Sequence, residues 1–454
     1  MKRLYIQTYG CQMNERDSER IAHVMKSMDY CLTDRIEEAD LVFLNTCSVR
    51  DKAEQKVYSA LGRWRELKQK REGVVVGVGG CVAQQEGSDL LRRVPHLDLV
   101  FGTQSIPELP RMVKEVESQK KRSVVIGFQR DASYMEDVEP RVEVNGPKAM
   151  VTIMQGCNKV CSFCIVPYVR GREISRSSES IIQEIRSLVR QGVTEVVLLG
   201  QNVNSYGKTS PGELTFPQLL DKINDIEALR RIRFMTSHPQ DLSVQLVEAF
   251  AKLERLCEHL HLPVQSGADA VLERMRRNYR REEYLRKIAR LRACRPDIAL
   301  STDIIVGFPG ETEEEFEQTL EILQEVEYDE IFAFKYSPRP HTAAAKLYRD
   351  DVCDAVKKER LEQVLRLQNE LSLRKNLQKL GAVEEVLVEG PSRHRKGQLM
   401  GRTRTNRIVN FLGEDSMIGR FVSVAVVGAS PNSLIAEVLS EENVSEMIDS
   451  RGIA

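Results

Sequence analysis

The chain has 454 residues, 41% hydrophobic and 29% charged, which predicts two to four domains with real cores. A formal net charge of −1 excludes a uniformly basic nucleic-acid binder but leaves room for a local basic patch. No apolar run is long enough to span a membrane, and the N-terminus MKRLYIQTYGCQMN has no signal-peptide core or cleavage site. A cytoplasmic protein is therefore expected, and its ten cysteines point to metal or redox chemistry rather than disulfides.

Residues 1–125 alternate strands and helices. Arg3–Thr8, Leu41–Asn45 and Val74–Gly79 read as strands, Ser18–Met28 and about Ala53–Lys70 as helices. Such alternation predicts an α/β domain with a doubly wound parallel sheet. Residues 126–147 are polar and carry proline and glycine, and are expected to be a linker.

Residues 148–380 hold six expected strands: Ala149–Met154, Glu195–Leu199, Arg231–Met235, His259–Pro263, Ala299–Val306 and Ile331–Tyr336. Helical patterns separate them, which predicts a partial (β/α)6 barrel related to the eight-unit form. Thr312-Glu313-Glu314-Glu315 reads as a capping box, after which Phe316, Leu320 and Leu323 share one helix face. A long helix is expected over about Ala355–Leu380. Residues 381–442 carry five short strands, Glu385–Glu389, Gly397–Arg402, Ile408–Phe411, Phe421–Val427 and Leu434–Val438, and read as a small antiparallel β-barrel of the oligonucleotide-binding kind.

Two cysteine sets stand out. Cys157, Cys161 and Cys164 form a CxxxCxxC run directly after the first barrel strand. Three thiolates on one loop leave a four-iron cluster with one open iron, free to take the amino and carboxylate groups of S-adenosylmethionine (SAM). Zinc is the alternative, but structural zinc usually takes four ligands in two CxxC pairs, and no second pair lies nearby. The spacing is similar to that of the radical SAM superfamily. LLGQNVNSYG (Leu198–Gly207) and DIIVGFPGET (Asp303–Thr312) end two barrel strands, where such folds place their active sites. Cys11, Cys47 and Cys81 each follow the C-terminal end of an expected parallel strand. Those ends form one edge of the sheet, where ligands bind, so a second cluster is the reading favoured over three inert thiols. Cys31, Cys257, Cys294 and Cys353 lack such placement and are expected to be small buried hydrophobes.

Together these features resemble the methylthiotransferase family of radical SAM enzymes, in particular its group acting on isopentenyladenosine in tRNA. The resemblance runs from QTYGCQMN (Gln7–Asn14) through QGCNKVCSFCIVPYVRGRE (Gln155–Glu173), SHPQDL (Ser237–Leu242), CEHLHLPVQSG (Cys257–Gly267) and VGFPGET (Val306–Thr312). It continues through VEGPS (Val388–Ser392) to GRTRTNRIVNF (Gly401–Phe411), the last marking a TRAM-like barrel. It implies two 4Fe-4S clusters, two uses of SAM, a sulfur source, and a low-potential electron donor such as flavodoxin or ferredoxin. The cluster at Cys157, Cys161 and Cys164 would generate the radical. The one at Cys11, Cys47 and Cys81 would hold the sulfur inserted at ring carbon 2 of the prenylated adenosine beside the anticodon. A monomer acting on the tRNA anticodon stem-loop, away from any membrane, is expected. Two rivals share the clusters, acting on threonylcarbamoyladenosine or on a ribosomal-protein aspartate. A non-catalytic iron-sulfur RNA-binding protein is the remote alternative.

The resemblance also puts Gln201, Asn202, Gln265 and Arg277, with Tyr279, near the cofactor or substrate. Arg393, Arg395, Lys396, Arg402, Arg404 and Arg407 lie in a stretch without acidic residues and are expected to contact RNA phosphates. His259 and His261 are expected on opposite faces of their strand, which argues against joint metal ligation, and Trp64 in a packed helix. His341 replaces a glycine the family usually carries in Tyr336–Ala344. Were that glycine at positive φ, histidine would carry a backbone cost.

Overall fold

The computed structural model describes residues 1–48, 51–136, 146–392 and 396–439, the side chains of 51–55 excepted. Residues 137–145 of the expected linker, 440–442 of the expected barrel segment, and both Arg393 and Arg395 fall outside these.

The N-terminal sheet is six-stranded and all parallel. In spatial order its strands are Tyr30–Leu32, Lys2–Tyr9, Leu41–Thr46, Val75–Gly80, Leu99–Phe101 and Ser123–Val125. Alternation along Leu41–Thr46 sorts its side chains between two cores, as a strand requires. Val42 and Leu44 pack with Trp64, Val76 and Val78, while Leu41 and Phe43 pack with Ile21, Phe101 and Met112. Helices thus cover both faces. Three of these strands were not foreseen. Each has only three residues, too few for an alternation to register. The first helix also starts earlier than expected, running Gln12–Lys26 with Cys11 as its N-cap. Cysteine is not among the usual capping residues, so the sequence carries no start signal there. The 126–147 segment is not all linker: Ser133–Glu136 is helical, with Tyr134 and Met135 buried.

The central domain has its six main strands where the pattern put them, as two parallel three-stranded sheets. A bridge between Ile232 and Leu256 joins these into one curved wall. The Thr312 capping box forms, with its hydroxyl accepting from the Glu315 N–H at 3.2 Å. Phe316 and Leu323 of that helix are fully buried. The long helix Asp354–Leu377 then leads into a closed five-stranded barrel. That barrel is not wholly antiparallel. Ile408–Phe411 pairs in parallel with Leu434–Val438, the contact that completes the ring. Among the described residues no helix is long and apolar enough to cross a membrane.

Two of the cysteines expected to be buried are not. Cys294 ends the helix Arg281–Cys294 beyond its last buried position, Leu291, and Cys353 precedes the long helix as its N-cap; both are exposed. Cys257 is buried as expected, and Cys31 is half-buried.

His341 does sit at positive φ, +69°. That region costs a non-glycine residue about 1–2 kcal/mol, partly offset by glycine's larger unfolded-state entropy. His341→Gly should therefore raise stability by up to about 1 kcal/mol, read as a higher denaturation midpoint. A drop in the midpoint would contradict this.

Candidate functional site

The CxxxCxxC loop is held from several sides. Gly156 begins it at φ +81°, where a Cβ would lie 2.0 Å from the Arg172 carbonyl oxygen; only glycine fits. The Gly156 N–H donates to Gln201 Oε1 at 2.5 Å, and the Cys157 N–H to the Gly171 carbonyl at 3.2 Å. Ser162 donates its N–H to the Met275 carbonyl at 2.9 Å and accepts from the Ala344 N–H at 2.7 Å. Three cysteines close in sequence are thus fixed at the C-terminal mouth of the barrel.

Polar groups face their sulfurs. Arg277 donates from Nη1 to Cys161 Sγ at 3.3 Å, from Nη2 to the Pro263 carbonyl at 2.7 Å, and from Nε to the Tyr279 hydroxyl at 3.0 Å. His238 Nε2 lies 3.9 Å from Cys161 Sγ, while its Nδ1 accepts from the Gln240 N–H at 3.2 Å. That assigns the ring proton to Nε2, aimed at the sulfur. Burial, then the Arg277 charge, pushes His238 down to about 2, so the ring is neutral. Burial raises the thiols of Cys157 to about 11 and Cys164 to about 12. As free thiols they keep their protons near neutrality; coordination would remove them.

Of the residues expected to hold cofactor, Gln201 anchors the cysteine loop as above. Asn202 donates from Nδ2 to Asp241 Oδ2 at 2.7 Å, leaving its buried Oδ1 without a partner. Glu173 Oε1 and Ser237 Oγ are likewise buried without hydrogen bonds. Such orphans are costly unless a ligand supplies the partner. Two are acceptors, suited to the ammonium or hydroxyl groups of SAM. Gln265 is buried at φ +76°, its backbone tied to Asp303 and Ile305.

The parallel sheet brings Cys11, Cys47 and Cys81 together at its C-terminal edge. Cys47 lies within hydrogen-bonding reach of both others. Hydrogen bonds to Cys11 and Cys81 raise the Cys47 thiol, while Cys11 and Cys81 are lowered by their hydrogen bond to it and then by the Arg170 charge. Gly80, just before Cys81, has φ +91°, and a Cβ there would meet the Thr46 carbonyl oxygen at 2.4 Å. Among the described residues no three His, Cys, Asp or Glu side chains surround one point as the ligands of a single ion do. A cluster takes each thiolate on a separate iron, so its cysteines need not converge so tightly.

Arg170 decides whether an anionic cluster fits here. It comes from the central domain, is 3% exposed, and pairs with Asp17 of the first helix at 2.7 Å. That pair takes Nη2, while Nη1 is buried with no hydrogen-bond partner among the described residues. A buried guanidinium with an unpartnered Nη1, its charge close to Cys11 and Cys81, fits a negatively charged group held by those thiolates.

The two triads adjoin. Cys81 packs against Ile165 and Val169, and Ile165 follows Cys164 directly. Thr103 Oγ1 donates to the Val169 carbonyl at 3.0 Å and Gln104 Nε2 to that of Arg170 at 3.0 Å, stitching the domains across this line. Below, Met13 of the first helix packs with Val197 and Leu199, and with Met150 and Met235, as an apolar lining.

The opposite end of the barrel differs from expectation. His259 and His261 share a face, since residues two apart in a strand must, and both reach Ser301 Oγ, at 3.1 and 3.0 Å. They remain far in role from the cysteines. Of the described residues of the basic stretch, Arg402, Arg404 and Arg407 are committed to holding the small barrel. Arg404 chelates Glu258 at 2.8 Å through Nε and Nη2, and Arg407 reaches Asp329 Oδ1 at 2.5 Å. Arg402 bonds Asn406. Only Lys396 is left exposed of the expected RNA contacts that are described. In return, Arg231 and Arg233 donate to the carbonyls of Arg402, Thr403 and Arg404. Arg170, Glu173, Ser237 and the role of His238 were missed by sequence reasoning. The only signal was their nearness to the CxxxCxxC and SHPQDL stretches.

Residues 3–102 match the Uncharacterized protein family UPF0004, 151–323 the Radical SAM superfamily, and 377–439 the TRAM domain. The tRNA-2-methylthio-N(6)-dimethylallyladenosine synthase of Geobacter metallireducens is 54% identical over 438 residues, covering 96% of this chain and 98% of that protein. The protein of the same name from Geobacter sulfurreducens is 51% identical over 441 residues, covering 97% and 98%. Among solved structures, the radical SAM methyltransferase TsrM of Kitasatospora setae is similar in fold, with a TM-score of 0.55 and 16% identity over 76% of this chain and 74% of that one.

Proposed function

The chain belongs to the family of tRNA-2-methylthio-N(6)-dimethylallyladenosine synthases, and on that premise we propose how its two cysteine sites divide the reaction. It is a radical SAM methylthiotransferase acting on tRNA, converting isopentenyladenosine beside the anticodon to its 2-methylthio derivative. SAM and a 4Fe-4S cluster follow from the superfamily. Cys157, Cys161 and Cys164 would hold that cluster, with Asn202 and Glu173 accepting from bound SAM. Cys11, Cys47 and Cys81 would hold a second cluster and the sulfur to be transferred.

The bound cofactors would supply one-electron cleavage of SAM, hydrogen removal from carbon 2, and the sulfur and methyl group. An aromatic C–H is neither acidic nor a leaving group, so side-chain acid-base chemistry alone does not functionalise it. The chain's own residues position and shield. Arg277 and His238 direct N–H donors at Cys161 Sγ. Met13, Val197, Leu199, Met150 and Met235 keep the barrel interior dry, which protects a reactive radical from side reactions. Arg170 balances negative charge at the other triad.

The observation that carries this division is the contact of Cys81 with Ile165, next to Cys164, which sets the two triads side by side. A monomer, a flavodoxin- or ferredoxin-like donor and a cytoplasmic setting complete the reading, since the substrate is tRNA. Iron- and sulfide-loaded enzyme, given SAM, reductant and prenylated anticodon stem-loop without oxygen, should form both 5′-deoxyadenosine and the methylthio nucleoside. Turnover on a threonylcarbamoyladenosine stem-loop instead would reassign the substrate. The absence of 5′-deoxyadenosine would sink the enzymatic reading.

A further inference from the structure

At the mouth of the barrel the rings of Tyr168 and His341 lie 6.3 Å apart with planes inclined by 34°. Both residues are exposed, Tyr168 by 46%. Their positions are fixed by the cysteine loop itself. Tyr168 belongs to the short helix Val166–Val169 just after Cys164. His341 lies in the loop that the Ala344 N–H ties to the Ser162 carbonyl.

Three features mark this rim as more than ordinary surface. Aromatic faces left in water contribute little to a core. His341 occupies a backbone region that strains a non-glycine residue, and such strain gathers at functional sites. Phe128, 46% exposed, lies against Gly171, three residues after Tyr168, where a Cβ on the glycine would come 2.9 Å from its ring. Arg172, four residues after Tyr168, and Lys346, five after His341, are exposed and have no carboxylate partner among the described residues. Aromatic faces flanked by free cations suit a single-stranded nucleic acid: bases stack, and phosphates meet the charges.

We propose that Tyr168 and His341 form a stacking platform that receives a nucleotide flanking the target adenosine and so presents that adenosine to the barrel. This rests on the tRNA reading above and adds a positioning surface to it. Among the described basic residues of the small barrel, Arg402, Arg404 and Arg407 are held in ion pairs, which leaves a role near the target base to this rim.

The test uses anticodon stem-loops carrying isopentenyladenosine, with 2-aminopurine on one side of it or the other, titrated anaerobically into iron-loaded enzyme. Stacking should quench the fluorescence in one of the two placements. Tyr168→Ala should remove the quench and weaken binding about 5- to 100-fold, whereas Tyr168→Phe should retain both. His341→Gly should lose part of the affinity while melting no lower than the parent. Iron content and melting temperature verify the fold. Tyr168→Leu, bulky but without a π-face, repeats the test if alanine disturbs it. Parental affinity and quenching in both Tyr168→Leu and His341→Gly would overturn the platform alone, provided the parent enzyme binds and modifies the RNA. A parent that neither binds nor modifies it would overturn the functional reading as well.

Discussion

Cys161→Ala should abolish both 5′-deoxyadenosine and methylthio product, whereas Cys47→Ala should abolish the product and leave SAM cleavage in place. The two outcomes differ because the triads sit on different scaffolds. Cys157, Cys161 and Cys164 share one loop at the barrel mouth, under Arg277, His238 and the partnerless Asn202 oxygen. Cys47 follows a sheet strand and lies between Cys11 and Cys81, on a scaffold separate from that loop. A radical site with two thiolates would not keep its cluster, so the expected loss is to background. The Cys47 variant should retain about the iron of one cluster. Equal loss of 5′-deoxyadenosine in both variants would show that the triads do not divide the work.

Arg170→Leu should be the most damaging single change away from the cysteines. It leaves Asp17, itself buried, without its cation, and breaking a buried pair from one side costs about 3–5 kcal/mol. It also strips the positive charge from beside Cys11 and Cys81. The two effects separate in the double variant Asp17→Asn/Arg170→Leu. Removing both charges restores most of the stability, seen in the denaturation midpoint. Iron at the first triad and its spectroscopic signal should still be altered, because the charge facing the sulfurs is gone. A double variant with parental iron content and signal would reduce Arg170 to a structural tie between domains.

Much of this was legible before any coordinates. Glu195–Leu199, Ala299–Val306, Ile408–Phe411 and Leu434–Val438 end where their apolar runs end, because turn residues bound them. The placement of the cysteines was legible in the same way: Cys11, Cys47 and Cys81 each follow a strand, and Cys157, Cys161 and Cys164 share the loop after one. What stayed hidden depends on distant partners. Arg404 and Arg407 read as a free basic patch, yet their carboxylates, Glu258 and Asp329, lie 146 and 78 positions away in the chain. Arg170 reads as a loop residue until the first helix brings Asp17 to it. The resemblance flagged His341, and the backbone adds that this residue has a positive φ.

The central claim is that this chain places a methylthio group on prenylated adenosine in tRNA. Nucleoside mass spectrometry on tRNA from a strain lacking its own such enzyme, complemented with this chain, tests it most directly. The predicted result is the appearance of 2-methylthio-isopentenyladenosine with a matching fall in isopentenyladenosine, and its absence when Cys161→Ala is supplied. Unmodified isopentenyladenosine in the presence of folded, iron-loaded protein, or methylthiolation of threonylcarbamoyladenosine in its place, would contradict it.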